Sequence, residues 1–251
     1  MKEYKVDSLT VKILPDRGTM GMTAAKDIHD RILALLSEKE TINMIFAAAP
    51  SQNEALASLV KYDDIDWSRI NAFHMDEYIG LSDEGASFGK YLRDHIFGLV
   101  GFRSVNYIDF RAVDHEAECE RYSALLEKFP TDIVVMGIGE NGHIAFNDPW
   151  VADFNDEKRV KIVKLDEVCR GQQVNDGCFP NIDSVPKQAV TLTCPTLASA
   201  AYQFCVVPAK TKANAVKRTL EGEINEECPA TILRTRPSAV LYLDVDSSSL
   251  L

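Results

Sequence analysis

Two short segments carry the residue types that acid–base chemistry needs. Phe73-His-Met-Asp-Glu-Tyr-Ile-Gly80 delivers Asp76 just after an apolar run. Met136-Gly-Ile-Gly-Glu-Asn-Gly-His-Ile-Ala-Phe-Asn-Asp-Pro149 delivers His143 and Asp148 after another. An imidazole exchanges protons near neutral pH, and a carboxylate serves as general base or acid according to its surroundings. Both segments follow strand-like sequence. That places the two sets of groups at the carboxyl edge of one parallel sheet, where α/β proteins bind their ligands.

Gly137, Gly139 and Gly142 satisfy G-x-G-x-x-G. A dinucleotide site needs a helix that starts among those glycines and an acidic residue about 20 positions on. Here His143 follows at once and Pro149 interrupts soon after, so a nicotinamide or flavin is not expected. Gly139 and Gly142 are read instead as positions where the backbone turns tightly and passes close to a ligand.

The elements that hold these segments alternate. Strands are expected at residues 9–14, 41–49, 70–74, near Tyr107, and at 132–137, 202–207 and 239–243. Between them run helical patterns: Ile28, Ile32 and Leu35; residues 51–62; Phe88, Leu92 and Ile96; Tyr122, Leu125 and Leu126; and Thr211 to near Gly222. Ser51-Gln-Asn-Glu54 has the form of a capping box after Pro50. The alternation predicts an α/β fold: a doubly wound, mostly parallel sheet with helices on both faces, Rossmann-like and three-layered. One domain over residues 1–251 is expected. Residues 147–189 are the least regular and are read as a lid.

The chain has 251 residues and a net charge of −11. That acidity argues against nucleic-acid and anionic-membrane partners, which need a basic surface. It leaves room for a small anion held by local amides and cations. No run approaches the roughly 20 apolar residues of a membrane helix. The mixed-charge first residues do not resemble a secretory signal, so a cytoplasmic protein is expected. The six cysteines form no Cys-x-x-Cys pair and no metal-ligand spacing. They are read mainly as small buried hydrophobes. Assembly into a homo-oligomer stays open.

The paired motifs resemble the signature segments of glucosamine-6-phosphate deaminases, whose superfamily includes the 6-phosphogluconolactonases. The resemblance extends to Val185-Pro-Lys-Gln-Ala-Val-Thr191 and Val207-Pro-Ala-Lys-Thr-Lys-Ala213. The Met-Asp-Glu-Tyr segment favours the deaminase side. The resemblance implies ring opening of an amino-sugar 6-phosphate, proton transfer between C2 and C1, and loss of ammonia. Glucosamine 6-phosphate would become fructose 6-phosphate. By similarity His143 opens the ring and Asp76 takes the C2 proton, with no metal or organic cofactor. Lys212 aligns with the family's phosphate lysine.

Three positions depart from the family pattern. Asn141 stands where an aspartate is usual, and Asp148 where a glutamate is. The usual Gly-Gly-Thr phosphate loop is replaced by Ala49-Pro-Ser-Gln-Asn-Glu54. Ser51 and Gln52 in that loop are candidate phosphate contacts, helped by the free amides of a helix start. The lid arginine of the family has no clear counterpart, although Arg170 is nearby. Asn141 is expected to orient His143 through a neutral hydrogen bond, so Asn141→Asp should keep or raise activity. Plainer roles exist for each group. Asp76 and Glu77 can begin a helix, Ser51 and Glu54 can cap one, Asp148 can serve a turn, and Lys212 can be a solvated helix-start charge. Alternative functions are a lactone hydrolase, in which His143 activates water, and a catalytically weakened sugar-phosphate sensor.

Overall fold

The computed structural model describes residues 1–251. Strands β1 (Lys2–Val6) and β2 (Leu9–Ile13) form a hairpin ahead of the long helix α1 (Arg17–Glu38). Then come β3 (Ile42–Phe46), α2 (Asn53–Leu59), β4 (Ile70–His74) and β5 (Asp76–Ile79). Helix α3 (Phe88–Leu92), β6 (Ser104–Asn106), α4 (His115–Lys128) and β7 (Ile133–Met136) follow. The chain ends through β8 (Val160–Lys164), α5 (Glu167–Asn175), β9 (Gln188–Leu192), α6 (Cys194–Ala198), β10 (Tyr202–Val207), α7 (Ala213–Glu221) and β11 (Ala239–Leu243).

The main sheet has eight strands in the order β1-β2-β11-β10-β7-β3-β4-β6. Only the β1–β2 pair is antiparallel. This is the expected mostly parallel, doubly wound α/β sheet. Its strands alternate between two cores. Met44, Ile133 and Val135 face α1 and α2, where Ile28, Ile32, Leu56 and Leu59 pack. Ile45, Val134 and Met136 face the opposite side, where Tyr122, Leu126, Val216 and Leu220 pack. Burial on both faces makes these strands continuously apolar.

From the β3/β7 neighbours, chain order runs outward in both directions: β3, β4, β6 one way and β7, β10, β11 the other. A crevice opens at such a switch point. Its rim is built from the segments leaving β3, β4, β7 and β10, which are Ala47–Ser51, Met75–Asp76, Gly137–Gly139 and Pro208–Ala209.

Several local expectations are overturned. Asp76 and Glu77 do not begin a helix; both lie in β5. Residues 147–189 are irregular only in part. Strands β8 and β9 pair with each other, and β9 pairs with β5, forming a second, antiparallel sheet in the order β5-β9-β8. Alternation of polar and apolar residues over 188–192 is weak, which hid the strand. The capping box does not form either. A turn of 3₁₀ helix (Pro50–Gln52) precedes α2, and no side chain caps it. Glu54 pairs instead with Arg17, Nε to Oε1 at 2.8 Å.

No helix is long and apolar enough to cross a membrane. All six cysteines are free, and all but Cys178 are buried. Burial pushes the Cys119 and Cys178 thiols up to about 11, so they are poor nucleophiles.

Helix α1 touches α2 through Gly21. A Cβ there would lie 2.4 Å from Glu54 Cβ and 2.8 Å from the Glu54 carbonyl carbon. Alanine normally improves a helix interior by about 1 kcal/mol over glycine. Here rigid backbone opposes it, and overpacking costs typically about 1–3 kcal/mol. Gly21→Ala is therefore expected to lower Tm by several degrees in thermal unfolding. An unchanged or raised Tm would show that the α1–α2 seam is not tight.

Candidate active site

A cleft with a volume of about 100 Å³ opens at the switch point. Asp76, Gly139, His143, Ser51 and Lys212 all line it. Two segments far apart in sequence thus deliver Asp76 and His143 to one place.

The histidine half is built on glycine. After β7 the chain turns so that Gly139 N–H donates to the His143 carbonyl at 2.9 Å, and Gly142 N–H to the Gly139 carbonyl at 3.0 Å. The imidazole lies flat against Gly139, where a Cβ would come within 2.2 Å of the ring. Gly142 has φ +91, and a Cβ on it would meet Cys228 Sγ at 2.6 Å. Only glycine satisfies both demands at that position. Gly142 therefore shapes the turn from behind the wall and does not line the cleft.

Asp148 is fully buried behind the ring. Its Oδ1 lies 3.0 Å from His143 Nδ1, at ion-pair distance but with a bent N–H line. Burial alone would raise its pKa. The contact with His143, the Asn141 amide and the Asp166 N–H together outweigh burial and hold it below the ordinary value. Asn141 does not orient the imidazole as expected. Its Nδ2 donates to Asp148 Oδ1 at 2.9 Å and to Asp166 Oδ2 at 3.1 Å. Its Oδ1 accepts the His143 backbone N–H at 3.0 Å. Asn141 is a clamp between two carboxylates. Neither it nor Asp148 lines the cleft; both act through His143.

Asp76 opens β5 and is buried. Burial, then the neighbouring charge of Glu77, push its carboxyl well above the usual range. Its position is fixed by His74. Ile108 N–H donates to His74 Nε2 at 2.9 Å, so Nδ1 carries the proton and donates to the Asp76 carbonyl, also at 2.9 Å. Burial pulls the imidazole down to about 4, which keeps it neutral. Glu77 points the other way. It accepts N–H groups from Tyr78, Phe88 and Gly89 and ties β5 to the start of α3. Burial raises it to about 7 against those bonds.

The opposite wall carries the cation. Lys212 ends the 3₁₀ turn before α7 and is only 5% exposed. Its Nζ has no hydrogen-bond partner. Burial pulls its pKa down, with Asp176 and Glu140 opposing. It is not the solvated charge that its helix-start position allows.

Ser51 lines the cleft, and its Oγ accepts from Gln52 Nε2 at 2.9 Å. Gln52 itself stands behind the wall and also bonds the Val206 carbonyl. It is a brace and not a ligand contact. Helix α2 offers little to an anion: it has seven residues, and Gln52 N–H already donates to Ala49 O.

Sequence reasoning missed five polar lining residues: Gln172 and Gln173 on α5, Asp176 at its C-terminal cap, Thr211 in the turn before α7, and Arg17 on α1. On the helices the signal was a polar stripe, indistinguishable in sequence from a solvated face. Arg170 does not reach the cleft. Its guanidinium bonds Glu167 and the carbonyls of Ile182 and Val185.

A sheet-edge cleft with a His–Asp pair, an isolated buried carboxyl and an unpaired lysine defines an α/β acid–base site for an anionic ligand. Residues 15–242 match the family model "Glucosamine-6-phosphate isomerases/6-phosphogluconolactonase", and the chain belongs to that family. Glucosamine-6-phosphate deaminase of Listeria innocua is 34% identical over 84% of this chain and 88% of its own. Glucosamine-6-phosphate deaminase 1 of Bacillus subtilis is 36% identical over 78% and 80%. The solved structure of a monomeric glucosamine-6-phosphate deaminase superposes with a TM-score of 0.86 at 31% identity, covering 96% of this chain and 99% of that one. A 6-phosphogluconolactonase from Thermotoga maritima shares the fold, with a TM-score of 0.75 at 21% identity, over 94% and 99%.

The clamp geometry predicts an effect of Asn141→Asp on stability. A third carboxylate would face Asp148 and Asp166 with no proton donor between them. Repulsion would raise carboxyl pKa values in the folded state, so folding would take up protons and stability would fall as pH rises. The loss is expected to be about 1–3 kcal/mol near neutrality and smaller at acidic pH. Denaturant unfolding at two pH values measures it. Equal stability of both proteins at neutral pH would refute the clamp.

Proposed function

We propose that this chain isomerises and deaminates glucosamine 6-phosphate to fructose 6-phosphate and ammonia. The observation that carries the reading is the unpaired, buried Lys212 ammonium in the same cleft as Asp76 and His143. An uncompensated buried charge is costly, and an anionic substrate supplies its partner. Family membership and relatives at 34–36% identity support the choice of an amino-sugar phosphate.

In this reading His143 passes a proton between the anomeric hydroxyl and the ring oxygen and opens the ring. Asp148 stands behind the imidazole at 3.0 Å and positions it. Asp76 moves the C2 proton to C1 while an amine proton passes to O1, so the C1 aldehyde becomes an alcohol and the 2-amine a 2-imine. Water hydrolyses the imine to the ketone and releases ammonia. A raised pKa suits Asp76, since a carboxylate that binds protons tightly is the stronger base toward carbon.

Ammonia release from a panel of hexosamine 6-phosphates, with 6-phosphogluconolactone hydrolysis run in parallel, tests the assignment. Lactone hydrolysis without ammonia would favour the hydrolase. Tight sugar-phosphate binding without either product would favour a sensor.

Asp76→Asn keeps shape and removes the proton acceptor. Turnover is expected to fall about 10²–10⁴-fold while substrate binding persists. In the parent protein kcat/KM should rise with pH as Asp76 ionises. The acidic limb should lie above about pH 4, the ordinary carboxylate value, because burial and Glu77 both raise this group. Unaltered turnover in the variant would remove Asp76 from the role of base.

Lys212→Ala should weaken the phosphorylated sugar about tenfold to a hundredfold and leave the free sugar almost unaffected. Competition binding of glucose 6-phosphate against glucose reads the difference. Equal losses would mean that Lys212 does not recognise phosphate.

A further inference from the structure

A phosphomonoester carries about 1.5 to 2 negative charges at pH 7 and three strong acceptor oxygens. Lys212 alone supplies one positive charge. The loop after β3 supplies few amides: Pro50 has no N–H, and Gln52 N–H is spent on the Ala49 carbonyl. Arg170, the arginine nearest to α5's covering position, is buried and committed to Glu167, Ile182 and Val185. Its guanidinium is turned away from the cleft.

Arg17 is placed differently. It is the first residue of α1 and lines the cleft beside Ala49, Pro50 and Ser51. Gly21 lies one helical turn on. Its lack of a side chain lets α1 lie against Glu54 and brings Arg17 over the loop. The guanidinium is anchored on one edge only. Nε faces Glu54 Oε1 at 2.8 Å, and Nη2 donates to the Pro50 carbonyl. Nη1 makes no hydrogen bond within the protein. An arginine oriented by a carboxylate and a carbonyl, with donors left over at a cleft wall, is prepared for an oxyanion.

We infer that Arg17 is the second cation of the phosphate site, joining Lys212 and the Ser51 hydroxyl. This deepens the sugar-phosphate reading above and rests on it only for the presence of a phosphoryl group. The loop Ala49-Pro-Ser51 offers an anion few amides, and a side-chain fork from α1 backs it. Glu54 then has a purpose other than capping, because it aims that fork.

The test is calorimetric binding of glucose 6-phosphate and of inorganic phosphate to the full chain, with Arg17→Ala and Arg17→Lys alongside. These measurements need no turnover. Arg17→Ala is expected to weaken both ligands about tenfold to a hundredfold, as loss of a charge-assisted contact does. Arg17→Lys should recover only part of the affinity, since an ammonium cannot reproduce the fork. In the deaminase assay KM should rise by a similar factor with kcat almost constant, the pattern of lost uniform binding. Far-ultraviolet circular dichroism and Tm of both variants report folding; Arg17 is part-exposed, and little change is expected there. Unchanged affinity in Arg17→Ala, or no phosphate binding by the parent chain, would overturn the inference. A parent chain that binds glucose 6-phosphate through Arg17 yet releases no ammonia would refute the deaminase reading and leave the anion site standing.

Discussion

The contact between the His143 ring and the bare backbone of Gly139 sets the geometry of half the cleft. An imidazole can lie on a peptide only where no Cβ intervenes, and here a Cβ would sit 2.2 Å from the ring. That contact fixes how high the ring stands above the β7 exit. The ring's height in turn decides where Nδ1 meets Asp148, which is buried too deeply to follow. Gly142 closes the same turn with a backbone conformation that L-residues avoid. Gly137 completes the set: a Cβ there would approach Gln52 Nε2 and Ser51 Oγ at 3.1 and 3.2 Å. The three glycines that imitate a dinucleotide fingerprint are thus used for close packing around a histidine and a loop.

Two carboxyl groups in this site are driven in opposite directions. Asp148 is buried, but its contacts with an imidazole, an amide and a backbone N–H favour its charged form. Asp76 is buried without such partners and beside another acid, so its neutral form is favoured. Environments that separate like groups in this way distinguish acid–base roles in a single cleft. Asn141 matters to that separation. Its amide offers donors to Asp148 and Asp166 together, which no carboxylate can do. An asparagine at this position therefore sets how the charge is held and leaves the His143–Asp148 pair in place.

The architecture was legible in sequence because both cores are deep. Strands such as 132–137 and 202–207 are buried on two faces and read as apolar runs, and the helices between them show a regular apolar stripe. Asp76 and His143 were legible because each follows such a run. What escaped was tertiary in origin. Strand β9 gains its identity from pairing with β5 and β8, partners 109–115 and 24–32 residues away in the chain. Ser51 and Glu54 have the spacing of a capping box, yet Arg17 competes for Glu54 and wins, because a helix from elsewhere brings a full charge to it. Asn141 has two amide donors, and only the structure shows which acids claim them. Arg170 and Arg17 look alike as sequence. One is consumed by carbonyls and the other is left with free donors.

The small sheet joins parts that sequence places far apart. Asp76 pairs with Thr191 across β5 and β9. The Thr191 hydroxyl accepts the N–H of Phe146, three residues beyond His143. Asn147 reaches the Leu192 carbonyl from the same loop. One strand, β9, therefore holds the backbone of Asp76 on one edge and the loop that carries His143 through its side chains and carbonyls. Helix α5 lies between β8 and β9 in sequence and bears on the cleft from above. It is fastened by Gln173 to the Tyr78 hydroxyl and by Gln172 to the Glu140 N–H. The covering helix is thus bonded to β5 and to the glycine turn, the two supports of the acid–base groups. A displacement of α5 must break or carry both bonds. The cover of this cleft is thus tied to the supports of the groups beneath it, and an α5 that moves alone gives up two hydrogen bonds, each worth about 0.5–1.5 kcal/mol.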